Sequence, residues 1–143
     1  MAARSDLSRL TLEVSTAKTA IAKLDKAFRL YTPIEAEAVW MLWIDGWGEA
    51  IRNPKMKKIS QELDIEWKDT LEKIICEGIE NGEFTCSDPN ATAWRLAALL
   101  DGLGVQATVH EGIITRRQLV NWVRSAACRE LDLPEGAFVT KRR

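Results

Sequence analysis

The sequence predicts an all-α protein built as a bundle of amphipathic helices. Apolar residues recur at helical spacing through most of the 143 residues, and no stretch alternates apolar and polar residues as a half-buried strand does. Residue pairs that cap and start helices stand between the apolar stretches. A chain of this length fits one domain, which buries roughly two-thirds of the surface that the unfolded state exposes. One domain of packed helices is the expected architecture.

The first predicted helical segment covers residues 5–31. Its apolar and charged faces are weakly separated, so the pattern predicts either one helix or two helices that break near Ser15. The apolar face consists of Leu7, Leu10, Val14, Ile21, Leu24, Phe28 and Leu30.

The second predicted helix starts at a capping box and runs to about Arg52. Thr32 and Glu35 form the box, and Pro33 occupies the first helical position, where its missing N–H group costs nothing. The helix is rich in tryptophan, and its indoles are expected on one face because they recur at helical spacing. These indoles are Trp40, Trp43 and Trp47.

Two glycines, Gly46 and Gly48, stand between these tryptophans. Because glycine costs about 1 kcal/mol relative to alanine inside a helix, the pair predicts the close approach of another helix or of a ligand. The indoles therefore have two interpretations: they belong to the core, or they line an apolar pocket. In the second case Trp67 and Trp94 on later helices would complete a lining for a flat, hydrophobic or cationic small molecule.

The third predicted helix starts at Asn53 and Pro54 and ends near Glu80. One apolar stripe with charged residues on the other faces indicates a half-buried helix. Gly78 and Gly82 supply the permissive backbone that ends it. The stripe consists of Met56, Ile59, Leu63, Trp67, Leu71, Ile74 and Ile75.

The fourth predicted helix runs from Asp88 and Pro89 to Val109 and is apolar on nearly every side. Such a helix is covered by its own domain on one face and by something else on the other, and we expect a second copy of the chain. Asp101 interrupts its apolar run. A buried carboxylate must be paired, hydrogen-bonded or protonated, so Asp101 is expected to make a polar contact between subunits or within its own helix, or to recognise a ligand.

The fifth predicted helix starts at a capping box formed by Thr115 and Gln118. It continues through about Leu131 and stops near Pro134 and Gly136.

Composition argues against several classes of protein. Twenty basic and twenty-one acidic residues give a net charge of −1, so no overall field favours nucleic acid. The three cysteines are widely spaced, which is typical of reduced thiols in a cytoplasmic protein, and a single histidine does not predict a metal site. Neither a signal peptide nor an apolar run of about 18 uncharged residues is present. A soluble cytoplasmic protein without membrane contact is expected.

Catalytic patterns find little support in the sequence. His110 has no serine or cysteine partner in a recognisable arrangement, and no glycine-rich loop suited to phosphate is present. Neither catalytic residues nor a cofactor is therefore predicted. A small helical enzyme is the weakest hypothesis, and it would require Asp45, Asp101 or His110 to meet in a cleft.

The order of these features resembles the C-terminal half of the TetR family of bacterial transcriptional regulators, in its BetI-like subgroup. The resemblance covers roughly residues 33–131. It is carried by the tryptophan-rich helix that ends in EAIRNP, by EW at residues 66–67, by EGIENGEF at residues 77–84, by DP at residues 88–89 and by AALLDGLGVQ at residues 97–106.

The resemblance implies a TetR C-terminal-like helical bundle that forms a homodimer and binds a small-molecule effector. Its last two helices would pack against their copies as a four-helix interface. The interface residues would be Leu96, Leu99, Leu100, Leu103, Ala107, Leu119, Trp122, Val123 and Ala126. The earlier helices would enclose the effector pocket, and its candidate residues are Trp40, Trp43, Trp47, Trp67, Leu71, Trp94 and Asp101.

The family pattern also includes an N-terminal head with a helix-turn-helix, which this sequence does not match. Residues 1–31 are too short for that head and its connecting helix, and they are interpreted as a remnant of the connector. Residues 32–133 are expected to form the regulatory and dimerisation domain, and residues 134–143 a tail. The chain alone is not expected to bind DNA directly. An alternative is an interaction protein that forms mixed dimers with a full-length regulator.

Overall fold

The computed structural model describes residues 2–33 and 38–138, and the side chains from Leu7 onward within them. Six α-helices and no strands occur in these residues, which confirms the all-α prediction. None of the described helices is both long enough and apolar enough to cross a membrane. The helices are α1 (Ala2–Ser15), α2 (Ala20–Tyr31), α3 (Ala38–Ala50), α4 (Pro54–Glu80), α5 (Pro89–Val109) and α6 (Arg116–Glu130).

Three of the predicted helix starts carry the expected caps. The Asn53 side chain accepts hydrogen bonds from the backbone N–H groups of residues 55 and 56, and the Asp88 side chain accepts one from residue 91. Thr115 and Gln118 form a reciprocal capping box, with bonds of 3.1 and 3.0 Å. Each cap satisfies N–H groups that lack a partner in the first helical turn, so these starts are fixed locally.

The first segment is broken at Ser15, as one of its two interpretations predicted, and Thr19 caps the helix that follows. At the other end of α2 the structure shows a contact that the sequence did not predict. The Thr32 hydroxyl donates a hydrogen bond to the carbonyl oxygen of Phe28 at 2.6 Å and so contributes to ending α2. Glu35, its predicted capping partner, lies outside the described residues, and the described part of the next helix begins at Ala38.

The long α4 helix lies at the centre of the bundle and contacts α1, α2, α3 and α5, while α6 packs against α5 and α2. Each of these helices contributes an apolar stripe to one continuous core. The largest fully buried side chains are Leu7, Val14, Leu24, Phe28, Trp67, Leu71, Ile75, Leu96, Leu100, Leu119, Val123 and Leu131.

The start of α2 is held by the turn that follows α4. The backbone N–H groups of Ala20 and Ile21 donate hydrogen bonds to the Glu83 carboxylate at 3.0 and 3.2 Å. A carboxylate at this position also interacts favourably with the positive end of the helix dipole. One turn later, Lys23 Nζ lies 2.8 Å from Glu77. The N-terminal end of α2 is thereby fixed to the C-terminal end of α4.

The two glycines among the tryptophans do not mark the close approach of another described helix, which was one of their two predicted roles. A Cβ atom at Gly46 or Gly48 would have no neighbour within 4 Å outside the local backbone. Close approaches occur instead at Gly78, where the Phe84 ring covers the backbone, and at Gly104, where the Trp40 ring does. A tryptophan of α3 thus makes a close approach, but at a glycine of α5 and not at the glycines of its own helix.

Candidate functional site

Five aromatic side chains from α2, α3 and α4 form a contiguous group, the aromatic cluster: Tyr31, Trp40, Trp43, Trp47 and Trp67. Tyr31 lies at its centre. Its ring stacks on Trp67 with a centroid separation of 4.3 Å and an interplanar angle of 9°. It meets Trp40 and Trp43 edge-on at 5.4 and 6.3 Å. Rings at these separations attract one another beyond their burial alone.

The third indole of α3 extends the cluster toward α4. Trp47 lies edge-on to Trp40 at 6.2 Å and to Trp43 at 5.8 Å. The three indoles of α3 thus share one side of the helix, as their spacing predicts.

Hydrogen bonds orient the rings. Trp40 Nε1 donates to the backbone carbonyl of Tyr31 at 3.0 Å, which ties α3 to the end of α2. The Tyr31 hydroxyl donates to Oδ1 of Asp101 on α5 at 2.6 Å. Trp47 Nε1 donates to Oδ1 of Asp64 on α4 at 3.4 Å. The Nε1 atom of Trp67 is buried and has no hydrogen-bond partner among the described residues.

The two carboxylates at the cluster are destabilised in their charged form. The pKa of Asp101 is raised to about 6, chiefly by burial. The hydrogen bond from Tyr31 opposes this rise, and the charge of Asp64 adds to it. Burial also raises the pKa of Asp64, while the bond from Trp47 opposes that change. Neither carboxylate forms an ion pair within the part of the chain that the structure describes. The cluster therefore borders two carboxylates that no described cation pairs with.

A cavity of about 500 Å³, the α1–α3 cavity, lies beside the cluster. Tyr31, Trp40 and Trp43 form its aromatic wall. The remaining lining comes from α1, the end of α2 and the start of α3, and consists of Leu7, Arg9, Leu10, Glu13, Leu30, Ala38 and Val39. Its volume falls within the range of small-molecule sites, about 300–1,000 Å³.

A second cavity, of about 580 Å³, lies in the groove between α1, α2 and α4. It has no aromatic lining, and half of its twelve lining residues are charged, among them Lys23, Glu66 and Asp69. Of these two cavities, the α1–α3 cavity is the one with an aromatic wall, and its wall residue Tyr31 is bonded to the Asp101 carboxylate. A third cavity, of about 40 Å³, is lined by Trp43 and Trp47 and is too small for an organic ligand.

The structure brings together most of the side chains that the sequence predicted for a ligand site. Trp40, Trp43, Trp47 and Trp67 belong to the cluster, Asp101 contacts it through Tyr31, and Leu71 lies in the core. Trp94 does not join them. Trp94 precedes Asp101 by two helical turns, which is about 10 Å along the helix axis. Its side chain is 44% exposed, and Lys68 Nζ lies 5.4 Å from the centre of its ring.

Sequence reasoning missed Tyr31 and Asp64. Tyr31 is the single tyrosine of the chain and closes α2. Asp64 precedes Trp67 and Leu71 by three and seven residues, so it lies on the apolar stripe of α4 and not on its charged face. A carboxylate inside an apolar stripe was the signal that singled out Asp101, and the same signal identifies Asp64.

Several predicted interface residues lie inside the chain's own core. Leu96, Leu100, Leu119 and Val123 are buried within the single chain, because that side of α5 packs on α4 and α6. They have no surface left for a partner, so this part of the prediction was wrong. Leu99, Leu103, Ala107 and Ala126 are half-buried, and Trp122 is 47% exposed. Ala98 and Gly102 are also exposed, on the outer face of α5.

Comparison with known proteins agrees with this fold. Residues 20–132 match the family model described as "BetI-type transcriptional repressor, C-terminal". The structure resembles a protein assigned as a transcriptional regulator from Saccharomonospora viridis, crystallised in complex with choline. The two share 23% sequence identity with a TM-score of 0.81, over 90% of this chain and 68% of the other. No curated protein matches the sequence.

Proposed function

The chain belongs to the family of BetI-type transcriptional repressors through its C-terminal domain, and we propose that it binds a small organic cation as its effector. In this proposal the aromatic wall of the α1–α3 cavity receives the cation. The domain would also hold two copies of the chain together, so that effector binding acts on a dimeric regulator.

The observation that carries the proposal is a set of aromatic rings next to two carboxylates that form no ion pair among the described residues. A cation within about 6 Å of the face of a tryptophan or tyrosine is attracted by the ring quadrupole, and this attraction is strongest in a desolvated site. Burial of Asp64 and Asp101 carries a free-energy cost that a bound cation would offset. A neutral apolar ligand would leave both carboxylates uncompensated. The choline carried by the structural neighbour is a ligand of the proposed chemical class.

Calorimetric titration with choline and with its neutral carbon isostere, in which carbon replaces the ammonium nitrogen, tests the proposal. Choline is expected to bind on the order of tenfold more tightly, because only the charged ligand gains the cation–π attraction. Trp43→Ala should weaken choline binding by a similar factor, since Trp43 belongs to the aromatic wall. Trp94→Ala is the matched control, because Trp94 lies outside the cluster. Equal affinity for the two ligands would contradict the proposal.

Pairing of two copies is proposed through the outer faces of α5 and α6. The small residues Ala98 and Gly102 would let a second helix approach α5 closely, and the exposed Trp122 offers a large apolar contact on α6. These residues form a surface that the core of one chain does not use.

Sedimentation velocity at micromolar concentration measures this pairing. The chain should sediment as a dimer, and Ala98→Arg should shift it toward the monomer, because a charged side chain would be buried between the two α5 helices. Leu12→Glu is the control, since Leu12 is exposed on α1, away from this surface. A stable monomer at this concentration would rule out the proposed interface.

A further inference from the structure

The α1–α3 cavity is larger than a trimethylammonium group requires. Its volume is about 500 Å³, and three of its ten lining residues are aromatic. A head group placed against Tyr31, Trp40 and Trp43 would leave most of that volume unfilled.

The rest of the cavity is aliphatic. Leu7 and Leu10 from α1 and Leu30 from α2 line it, together with Ala38 and Val39 at the start of α3. Leu30 is 42% exposed although it is a leucine next to a buried tyrosine, so its apolar surface faces open space. The two charged lining residues, Arg9 and Glu13, are both exposed, which places them at the solvent edge of the cavity.

The lining therefore combines two kinds of surface. Its aromatic wall is hydrogen-bonded to Asp101 through Tyr31, and its aliphatic residues include the partly exposed Leu30. A fatty acid would bring a carboxylate toward Asp101 and be repelled. A small quaternary ammonium ion would satisfy the aromatic end and leave the aliphatic side chains in contact with water.

We infer that the effector is a cationic amphiphile, a quaternary ammonium group with an attached alkyl chain that lies along Leu10, Leu30 and Val39. This inference rests on the proposed function, because it extends the same cation site. Each methylene transferred from water into such a cavity raises the affinity about fourfold when it is fully buried. The chain length of the ligand should therefore control affinity strongly.

Calorimetric titration with tetramethylammonium, hexyltrimethylammonium and neutral hexanol tests the inference on the full chain. Hexyltrimethylammonium should bind on the order of 100-fold more tightly than tetramethylammonium, allowing for incomplete burial of its methylenes. Hexanol should bind more weakly than hexyltrimethylammonium, because it lacks the charge.

Two variants locate the alkyl chain. Ala38→Trp places an indole inside the cavity and should remove most of the affinity difference between the two ammonium ligands. Ala22→Trp is its control, because Ala22 is exposed on α2 and does not line the cavity. Leu30→Gln, at a partly exposed position that tolerates a polar group, should reduce the same difference severalfold without depending on the fold of the bulkier variant.

The outcomes separate the two proposals. If both ammonium ligands bind with equal affinity, the cation site stands and the inference about the alkyl chain is overturned. If the chain-length dependence survives unchanged in folded Ala38→Trp or in Leu30→Gln, the alkyl chain lies elsewhere and the inference is overturned. If neither ammonium ligand binds, the proposed function and the inference fail together.

Discussion

Replacing Gly104 by alanine is expected to lower the free energy of unfolding by about 1 kcal/mol, even though alanine is the better helix former. A Cβ atom at this position would overlap the six-membered ring of Trp40. That ring cannot move freely, because it is buried and its Nε1 atom is bonded to the carbonyl oxygen of Tyr31. Overpacking of this kind costs about 1–3 kcal/mol, which outweighs the gain of about 1 kcal/mol in helix propensity.

Gly48→Ala is the matched control. Gly48 also lies inside a helix, but an added Cβ atom would meet nothing within 4 Å, so this substitution should stabilise the chain by up to about 1 kcal/mol. Urea unfolding followed by circular dichroism, at one protein concentration for every variant, measures both effects. A stabilised Gly104→Ala variant would show that Trp40 does not pack on α5 as described.

Replacing Asp101 by asparagine is expected to raise stability at neutral pH. The pKa of Asp101 is raised from 3.8 to about 6 in the folded chain, so the folded state retains the proton over a range in which the unfolded state has lost it. The contribution of Asp101 to the free energy of unfolding is therefore fully present below about pH 4 and is lost as the pH rises through about 6. The loss is on the order of 3 kcal/mol. Asparagine stays neutral and still offers an oxygen to the Tyr31 hydroxyl.

The measurement compares urea unfolding of the wild-type chain and of Asp101→Asn at several pH values between about 4 and 7. The variant should gain stability relative to the wild type as pH rises, and the same variant should bind choline more weakly, because the negative charge at the cluster is reduced. Asp45→Asn, at an exposed position on α3, is the control for removal of a carboxylate. A constant difference between variant and wild type across this pH range would contradict the prediction.

Helix starts at Asn53, Asp88 and Thr115 could be predicted because a cap is decided within a few residues of sequence. The capping box at Thr32 stays a prediction, because Glu35 lies outside the described residues. The bond from the Thr32 hydroxyl back to Phe28 was not predictable, since the local sequence does not show that this side chain also contributes to the end of α2.

The aromatic site was predictable in part for a similar reason. Periodicity assigned the indoles of α3 to one face, but it could not reveal that Tyr31 from another helix lies among them. Periodicity also could not say which apolar face of α5 the chain covers itself. Leu96 and Leu100 had the pattern of an interface, and the structure uses them in the core.

The bonds at the two ends of α2 differ in their distance from the proposed ligand site. At the start of α2, the Glu83 carboxylate accepts hydrogen bonds from two backbone N–H groups, and none of the residues involved lines the α1–α3 cavity. At its end, the Tyr31 hydroxyl depends on Asp101, the carboxylate for which a bound cation would compete. The backbone at this end keeps its own bond, from Trp40 Nε1 to the carbonyl oxygen of Tyr31, so a cation bound as proposed would exchange the side-chain bond alone. It would shift that equilibrium by no more than its difference in binding free energy between the two arrangements.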